Sequence, residues 1–494
     1  MIEQSGTVPA SMAKPAGLDR SETAEPQEIA QDYRISRRAL IGRVLAVVVP
    51  AVLWFSPLNL DVTAKHALAI TSFMIIAWIT EAMPHALAGL IGCYLYWALG
   101  VVKFDTAFGG FANDTPWFLF GAILFGMMAT KTGLARRLAY TVMQRFGKSY
   151  PRILLGLIFS DFLLTFLVPS GIARVVIMAA VALGLIEAFG CGPGSNIGRG
   201  MFLVLTYTAG IFDKMIIAGA ASITARGLIE KVGNVPVLWS HWFLAYLPCD
   251  LITIFAAWRL TLWLYPPEKS SLPGGGRFIK EELQRMGRWS GQEKKAMTLM
   301  AIAIGLWATD FLHHLSPAMI GLGVGLLAAL PWLGVLDMDD LKRVNYLPVF
   351  FVAAAVSMGE VLVSTKALDV LTNFMFAWME PLITNVYSST LTLYWSAFVY
   401  HIFLASEVSM LGTSIPLLMN FAVAQGLDPL ALGMVWTFAA GGKIFVYQSA
   451  VMVVGYSYGY FDGRDMLRIG ICLTVVESII LLVLVPFYWP LIGI

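Results

Sequence analysis

The chain has 494 residues, of which 58% are hydrophobic and 13% are charged, with a formal net charge of +2 and a mean hydropathy of +0.74. Soluble domains carry about 25% charged residues, so the composition excludes a soluble globular protein and favours an all-α protein that crosses the bilayer many times. The near-neutral charge and the four scattered cysteines give no indication of nucleic-acid binding, a disulfide framework or a zinc site.

The first half of the chain begins with a polar tail. Residues 1–38 mix acids with few bases, unlike a signal or transit peptide, and we predict a disordered cytoplasmic segment there. The first transmembrane half, 39–265, then contains an extra first helix and five further predicted spans, near 39–58, 64–82, 84–102, 116–134, 200–230 and 237–265. A broken apolar pair at 153–188 is interpreted as a re-entrant hairpin, with two full crossings as the alternative.

A polar linker, 266–295, separates this half from a second one of similar size, 296–494. Spans are predicted near 296–312, 317–335, 346–365, 428–460 and 466–492. A second broken pair at 390–424 gives the second hairpin, and 367–384 is interpreted as an interfacial stretch. The sequence therefore predicts about 11 transmembrane helices plus two re-entrant hairpins.

The distribution of basic residues predicts the orientation. The loop at 135–152 has five bases and no acid, and the linker is also rich in Lys and Arg. Cytoplasmic loops carry an excess of such residues, so both are predicted to lie in the cytoplasm. The N-terminus is then cytoplasmic and the C-terminus outside, in the plasma (bacterial inner) membrane.

Weak internal repeats relate the two halves. Ser170 lies 236 residues before Ser406, and Gly219 lies 236 residues before Gly455. Each half has an odd number of repeat spans, five, plus a hairpin, so the second repeat is predicted to be inverted relative to the first. Inverted repeats with interrupted helices are typical of secondary transporters, whose substrate site lies near the bilayer midplane.

The first hairpin tip lies within "VPSGIARVVIM" at 168–178. Ser170 can cap the second arm, Gly171 lets a ligand approach the backbone, and Arg174 can bind a carboxylate, sulfate or phosphate as a bidentate fork. The free N–H groups at the start of a helix add a positive dipole end. The alternative is that Ser-Gly makes a tight turn and that Arg174 pairs with a protein acid.

The second tip, "ASEVSM" at 405–410, contains an unexpected carboxylate, Glu407. It can pair with Arg174, stay protonated, or bind a cation; it can also be a first-turn glutamate stabilised by the helix dipole behind a Ser406 cap. A protonatable Glu407 would suit proton coupling.

Other charged groups within the spans are candidates for functional or structural pairing. Lys214, beside Asp213, can add positive potential to the site, while the two neighbours can also face different surfaces. Lys443 can act similarly or snorkel, and His401 is a proton partner or a packing histidine. Asp161 and Glu360 are interpreted as helix-pairing groups.

Several motifs resemble the divalent anion–sodium symporter family over roughly residues 40–494. They are "WITEAMP" at 78–84, "FGGFANDTPWFLFGAILFGMMATKTGL" at 108–134 and the two tips. The first tip is similar to that of the plastid 2-oxoglutarate/malate translocators and bacterial citrate/succinate exchangers. The resemblance implies homodimers of elevator-type transporters for di- or tricarboxylates, with sodium coupling in many members.

The tips depart from the family pattern, which is Ser-Asn-Thr in both repeats. This chain has Ser170-Gly171-Ile172 and Ser406-Glu407-Val408, so both asparagines are absent. The resemblance carries substrate contact to these six residues with Arg174 and Lys214. It carries cation or proton coupling to Ser170, Gly219, Ser406, Glu407 and Gly455. Sodium, protons and a counter-anion all remain open as coupling partners.

Other classes of function have little support in the sequence. None of the six histidines lies in an HExxH or HxxxxD spacing, and "PGGGRF" at 273–278 lacks the GK[ST] of a phosphate-binding loop. The sequence therefore predicts a secondary transporter of small organic anions without a resident cofactor, with a channel or a membrane-embedded enzyme as alternatives. Its predicted partners are the anion, the lipid bilayer and a second copy of the chain.

Overall fold

The computed structural model describes residues 37–146, 149–271, 275–403 and 406–494. The predicted disordered tail therefore lies outside the described residues except for its last two. All regular elements in the described ranges are helical. Those of the first half are α1 Arg37–Phe55, α2 Val62–Thr80, α3 His85–Ala98, α4 Phe104–Ala107, α5 Asp114–Lys131, α6 Leu134–Met143, α7 Tyr150–Leu167, α8 Gly171–Phe189, α9 Asn196–Met215, α10 Ala220–Gly233 and α11 Trp239–Leu264.

The linker contributes one helix, and the second half is again helical throughout its described part. The helices are α12 Gly275–Arg285, α13 Gly291–Ala308, α14 Asp310–His313, α15 Pro317–Ala328, α16 Met338–Lys342, α17 Leu347–Ser364, α18 Ala367–Phe376, α19 Val386–Phe403, α20 Glu407–Ala424, α21 Pro429–Ala439, α22 Ala450–Ser457 and α23 Gly463–Val483.

The molecule is a multi-pass membrane protein. By length and composition, the described residues contain eight spans able to cross a bilayer, or nine if the bent pair α5–α6 is one span. Three shorter apolar helices, within α1, α15 and α21, have 10–17 residues each. The sequence-based number of eleven is therefore larger than the number of helices long enough by themselves.

The predicted loop 135–152 is mainly wrong, because α6 occupies its first part. Helix α6 turns away from α5 by 66° at Gly133, whose φ of +78° suits a residue without a Cβ. Arg137 on α6 is buried and donates from Nε to Glu293 Oε1 at 2.6 Å. At least one base counted toward orientation is thus used inside the protein.

The first hairpin reverses the chain at Val168–Ser170. The rings of Tyr150, at the start of α7, and Phe189, at the end of α8, lie 6.3 Å apart. The Tyr150 N–H donates to Ser270 O at 3.1 Å, so the open end of this hairpin lies beside the linker. The tip lies at the other end of both arms.

The second hairpin, α19 and α20, also returns on itself. Val386, at the start of α19, and Leu427, just after α20, line one cavity of 290 Å³. Two residues of its tip, 404–405, lie outside the described residues, and the tip is described from Ser406 onward.

Two interrupted helices run antiparallel between the hairpins. The first consists of α9 and α10, interrupted at 216–219, and the second of α21 and α22, interrupted at 440–449. A Cβ at Gly233, where α10 ends, would lie 3.0 Å from Pro429, where α21 begins. At the other end, Phe202 of α9 stacks on Tyr460 at 4.4 Å.

The two hairpins therefore approach from opposite ends of the interrupted helices. The Tyr150 hydroxyl, at the open end of the first hairpin, donates to Ile197 O near the start of α9 at 3.1 Å. The open end of the second hairpin lies next to Pro429, at the far end of α10. This inversion brings both tips to the level of the interruptions.

Candidate functional site

The tip of the first hairpin contacts both interrupted helices. The N–H of Gly171 donates to Asp213 Oδ1 at 3.2 Å, near the end of α9. A Cβ at Gly171 would lie 2.7 Å from Val451 Cγ2, on α22. Only a glycine allows this approach without a shift of Val451, so the close contact of tip and interruptions depends on residue 171.

Four helices begin around this junction. Their N-cap residues are Ser170 for α8, Gly219 for α10, Ser406 for α20 and Ser449 for α22. Ser170 and Ser449 accept hydrogen bonds from Ala173 N and Val451 N, whereas Ser406 and Gly219 make no side-chain cap. Helix N-termini carry free N–H groups and a positive dipole end, so the junction favours an anion.

Arg174 is fully buried and lies among protein acceptors. Its Nε donates to Asp161 Oδ1 at 3.2 Å, and its two terminal nitrogens donate to Val168 O at 3.0 Å and Ala209 O at 2.7 Å. Asp213 Oδ1 lies 3.6 Å from Nη1. In this conformation Arg174 pairs with protein acids, as the alternative interpretation has it; its contact with substrate stays a prediction.

Glu407 pairs with Lys443, not with Arg174. Its Oε2 lies 2.9 Å from Lys443 Nζ, and the two side chains are 8% and 1% exposed. Lys443 Nζ also lies 3.5 Å from Gly210 O. The pair ties the second tip to the 440–449 interruption and to α9.

Arg174 and Lys443 thus reach consecutive carbonyl groups of α9, at Ala209 and Gly210. One cation comes from each half of the chain. This meeting point was not found from the sequence, because it depends on the packing of three elements; the signal available was that Lys443 shares an apolar region with few other charges.

Lys214 lies on a different surface of α9 from its neighbour Asp213. Its Nζ lies 3.3 Å from Glu477 Oε1 on α23 and 3.9 Å from the ring centroid of Phe438. Lys214 therefore binds α23 and α21 in this conformation. Its predicted contribution to the anion site stays a prediction.

The aliphatic tip residues are only partly buried. Ile172 is 42% exposed, and Val408 is half-buried. Ser170 is exposed and Ser406 half-buried. These side chains lie at the first turns of α8 and α20, next to the N-termini described above.

The two repeat glycines do not occupy equivalent positions. Gly219 is the N-cap of α10, and its Cα faces the Asp213 carboxylate. Gly455 lies inside α22, six residues after the N-cap Ser449, and a Cβ there would be 2.1 Å from Thr206 Oγ1. The equal spacing of 49 residues does not reflect the structure, because the second interruption is longer than the first.

Hydrogen bonds fix the second interruption to the second hairpin. His401 Nε2 lies 3.0 Å from Gln448 O, and Gln448 Oε1 accepts from the N–H groups of Ile444 and Phe445. The Tyr447 hydroxyl donates to Ile402 O. His401 thus has a structural partner, and Glu360 likewise pairs with Lys231 at 2.9 Å.

The donor set at the tips does not fit a sodium ion in this conformation. Glu407 is already paired with Lys443, and Asp213 with Arg174, so each carboxylate that could bind a metal has a cationic neighbour. Within the described ranges, no three His, Cys, Asp or Glu residues come together as a metal site.

Comparison with known proteins agrees with this architecture. The family described as "Sodium:sulfate symporter transmembrane region" matches residues 37–494. The putative malate transporter YflS of Bacillus subtilis is 27% identical over 484 residues, covering 92% of this chain and 97% of the relative. The dicarboxylate transporter 1 of Spinacia oleracea chloroplasts is 26% identical over 485 residues, covering 93% and 82%. Neisseria gonorrhoeae MtrF, described in terms of antimetabolite efflux pumps, has the same fold, with a TM-score of 0.55, 10% identity and coverage of 91% and 94%.

Proposed function

The chain belongs to the sodium:sulfate symporter family, whose members are transporters and not enzymes, and on this premise we propose that it is a secondary transporter of small dicarboxylates. The site we propose is the junction of the two hairpin tips with the interruptions of the α9–α10 and α21–α22 helices. Coupling to sodium, protons or a counter-anion is a separate question.

The convergence of four helix N-termini is the observation that carries the proposal. The beginnings of α8, α10, α20 and α22 all lie around residues 209–213 of α9. An elongated anion with a carboxylate at each end suits this arrangement, since each hairpin supplies N-termini from its own half. Malate and other dicarboxylates are named for relatives that align over most of this chain.

Alternating access follows from the inverted arrangement. Two hairpins that approach from opposite ends can expose one site to either side in turn. We propose an elevator-type movement of the hairpins and interrupted helices within a homodimer in the plasma membrane. The N-terminus is cytoplasmic in this proposal, and the C-terminus outside.

The direct test is uptake of labelled malate or succinate into proteoliposomes containing the purified protein. Saturable, ATP-independent uptake is expected. Flux that rises linearly with concentration would indicate a channel, and absence of uptake or exchange for every dicarboxylate tested would overturn the proposal.

A matched pair of glycine variants locates the site. Gly171→Ala places a Cβ 2.7 Å from Val451 and should lower the uptake rate, whereas Gly323→Ala, whose Cβ meets nothing within 4 Å, should not. Equal rates for both variants would contradict the location of the site.

A further inference from the structure

The charged groups around the tips do not balance. Asp161, Asp213 and Glu407 face only Arg174 and Lys443, so three carboxylates against two cations leave a net charge of −1 when all are ionised. Asp213 also interacts electrostatically with Glu407 and Lys443. A dianion entering this junction meets like charge where water is scarce, which opposes its binding.

A bound metal cation is a poor means of removing that charge. The Glu407 carboxylate already contacts the Lys443 ammonium at 2.9 Å, and Asp213 Oδ1 accepts from Gly171 N–H and lies 3.6 Å from Arg174. A metal ion at either carboxylate would stand beside a fixed positive charge. A proton needs no such space.

Glu407 is the carboxylate best placed to accept the proton. Asp161 is 1% exposed behind the tip, and Asp213 is held by both Gly171 and Arg174. Glu407 is the first residue of α20 and lies at the described edge of the second tip. Its protonation would release Lys443, whose only other hydrogen-bond partner is Gly210 O at 3.5 Å.

We infer that Glu407 and Lys443 form a proton-linked switch, in which an entering dicarboxylate takes the Lys443 ammonium from Glu407 while Glu407 takes up a proton. The inference rests on the proposed function and assigns its coupling. The Glu407 carboxylate gains one proton from solution and becomes neutral; Lys443 keeps its charge and pairs with a substrate carboxylate. Release of substrate on the other side returns the proton and restores the ion pair, so substrate and proton move together and sodium is not required.

The other charged groups near Glu407 do not provide an alternative partner in this conformation. Lys214 and His401 interact with it electrostatically, and both have their own partners. The helices packed on α20 carry charges that pair elsewhere: Arg226 with Glu230, Lys231 with Glu360, and Asp369 with Asn420, while Lys65 of α2 binds Ser56 O and His66 stacks on Trp54.

The test is calorimetric titration of the full-length protein with malate in sodium-free buffers that differ in ionisation enthalpy. It is done above about pH 7, where small dicarboxylates are fully ionised. We expect about one proton taken up per malate and an affinity that rises about tenfold for each unit by which the pH is lowered. Glu407→Gln should bind malate without proton uptake and with little pH dependence, whereas the control Glu360→Gln should behave like the wild type.

The outcomes separate the inference from the proposed function. Binding without proton uptake by the wild type, proton uptake that persists in Glu407→Gln, or affinity that requires sodium would overturn the switch and leave the transporter intact. Failure of the wild type to bind any dicarboxylate would overturn both. If Glu407→Gln does not fold, Glu407→Asp, which keeps the titratable group, should retain uptake of one proton, and the wild-type titration already decides the sign.

Discussion

The Nζ atom of Lys443 lies 2.9 Å from Oε2 of Glu407, so an ion pair buried on both sides joins the second interruption to the second hairpin. The pair has a mechanical consequence as well as an electrostatic one. Whatever moves the hairpin relative to the interruption must first separate these two charges.

Breaking this pair from one side should destabilise the protein strongly. Lys443→Met leaves Glu407 buried and unpaired, and we expect a loss of about 3–5 kcal/mol in the free energy of unfolding. Lys443→Met combined with Glu407→Gln should recover most of that loss, because no charge is left without a partner. Thermal unfolding of the single and double variants measures this coupling.

The half-exposed pair Lys231–Glu360 is the control for that cycle, because exposed ion pairs contribute only about 0–1 kcal/mol. A coupling between Lys443 and Glu407 no larger than that of the control would mean that the buried pair is not maintained in the membrane.

A second carboxylate, Asp250 on α11, should behave in the opposite way. It is 0% exposed, and neither of its side-chain oxygens has a hydrogen-bond partner. Because burial without a partner is unfavourable, Asp250→Asn should leave stability unchanged or raise it. Asp161→Asn, which removes a carboxylate paired with Arg174, should lower stability by about 3–5 kcal/mol. Loss of stability in Asp250→Asn equal to that in Asp161→Asn would show that Asp250 has a stabilising partner.

The packing of Gly455 gives a prediction about the second interruption. A Cβ at this position meets Thr206 Oγ1 at 2.1 Å, and overpacking of this kind costs about 1–3 kcal/mol. We expect Gly455→Ala to lower the unfolding temperature, and Thr206→Ala in the same protein to restore part of it. No effect of Gly455→Ala on stability would contradict the packing of α22 against α9.

The linker contact at Glu268 should depend on pH. Burial raises the pKa of Glu268, but hydrogen bonds from the N–H groups of Asn196 and Ile197 outweigh it and hold the pKa below its ordinary value of 4.5. A carboxyl whose pKa is lower in the folded state stabilises that state above the unfolded pKa, and this contribution is lost as the pH falls through the folded pKa.

Amide hydrogen exchange at Asn196 and Ile197 measures this effect. Protection should therefore decrease as the pH falls below about 4.5 once the intrinsic pH dependence of exchange is corrected. In Glu268→Gln the corrected protection should be lower at neutral pH and should not change across that range. A variant with wild-type protection at neutral pH would exclude the carboxylate as the anchor of the linker.

Sequence reasoning located most helices, because apolar windows and breaking residues carry that information locally. The interruptions near Gly219 and before Gly455 were placed in the correct helices. The longer second interruption was missed, since Gly441 and Gly442 differ from the spacing of the first half. The α5–α6 bend was missed because a short amphipathic helix resembles a charged loop.

The side-chain pairing at the site was less predictable. Arg174 had Asp161, Asp213 and Glu407 as candidate acids, and its choice depends on how α7, α8 and α9 pack. The partner of Glu407 lies 36 residues later in the chain, in an irregular segment, and no periodicity relates the two.

A structure determined with malate bound tests the central claim most directly. We expect the ligand between Gly171 and Glu407, with one carboxylate within hydrogen-bonding distance of Lys443 Nζ and the Glu407–Lys443 distance increased from 2.9 Å. Malate bound away from the tips, for example in the 640 Å³ groove between α11 and α23 that includes Arg259, with the ion pair intact, would contradict the proposed site and the switch built on it.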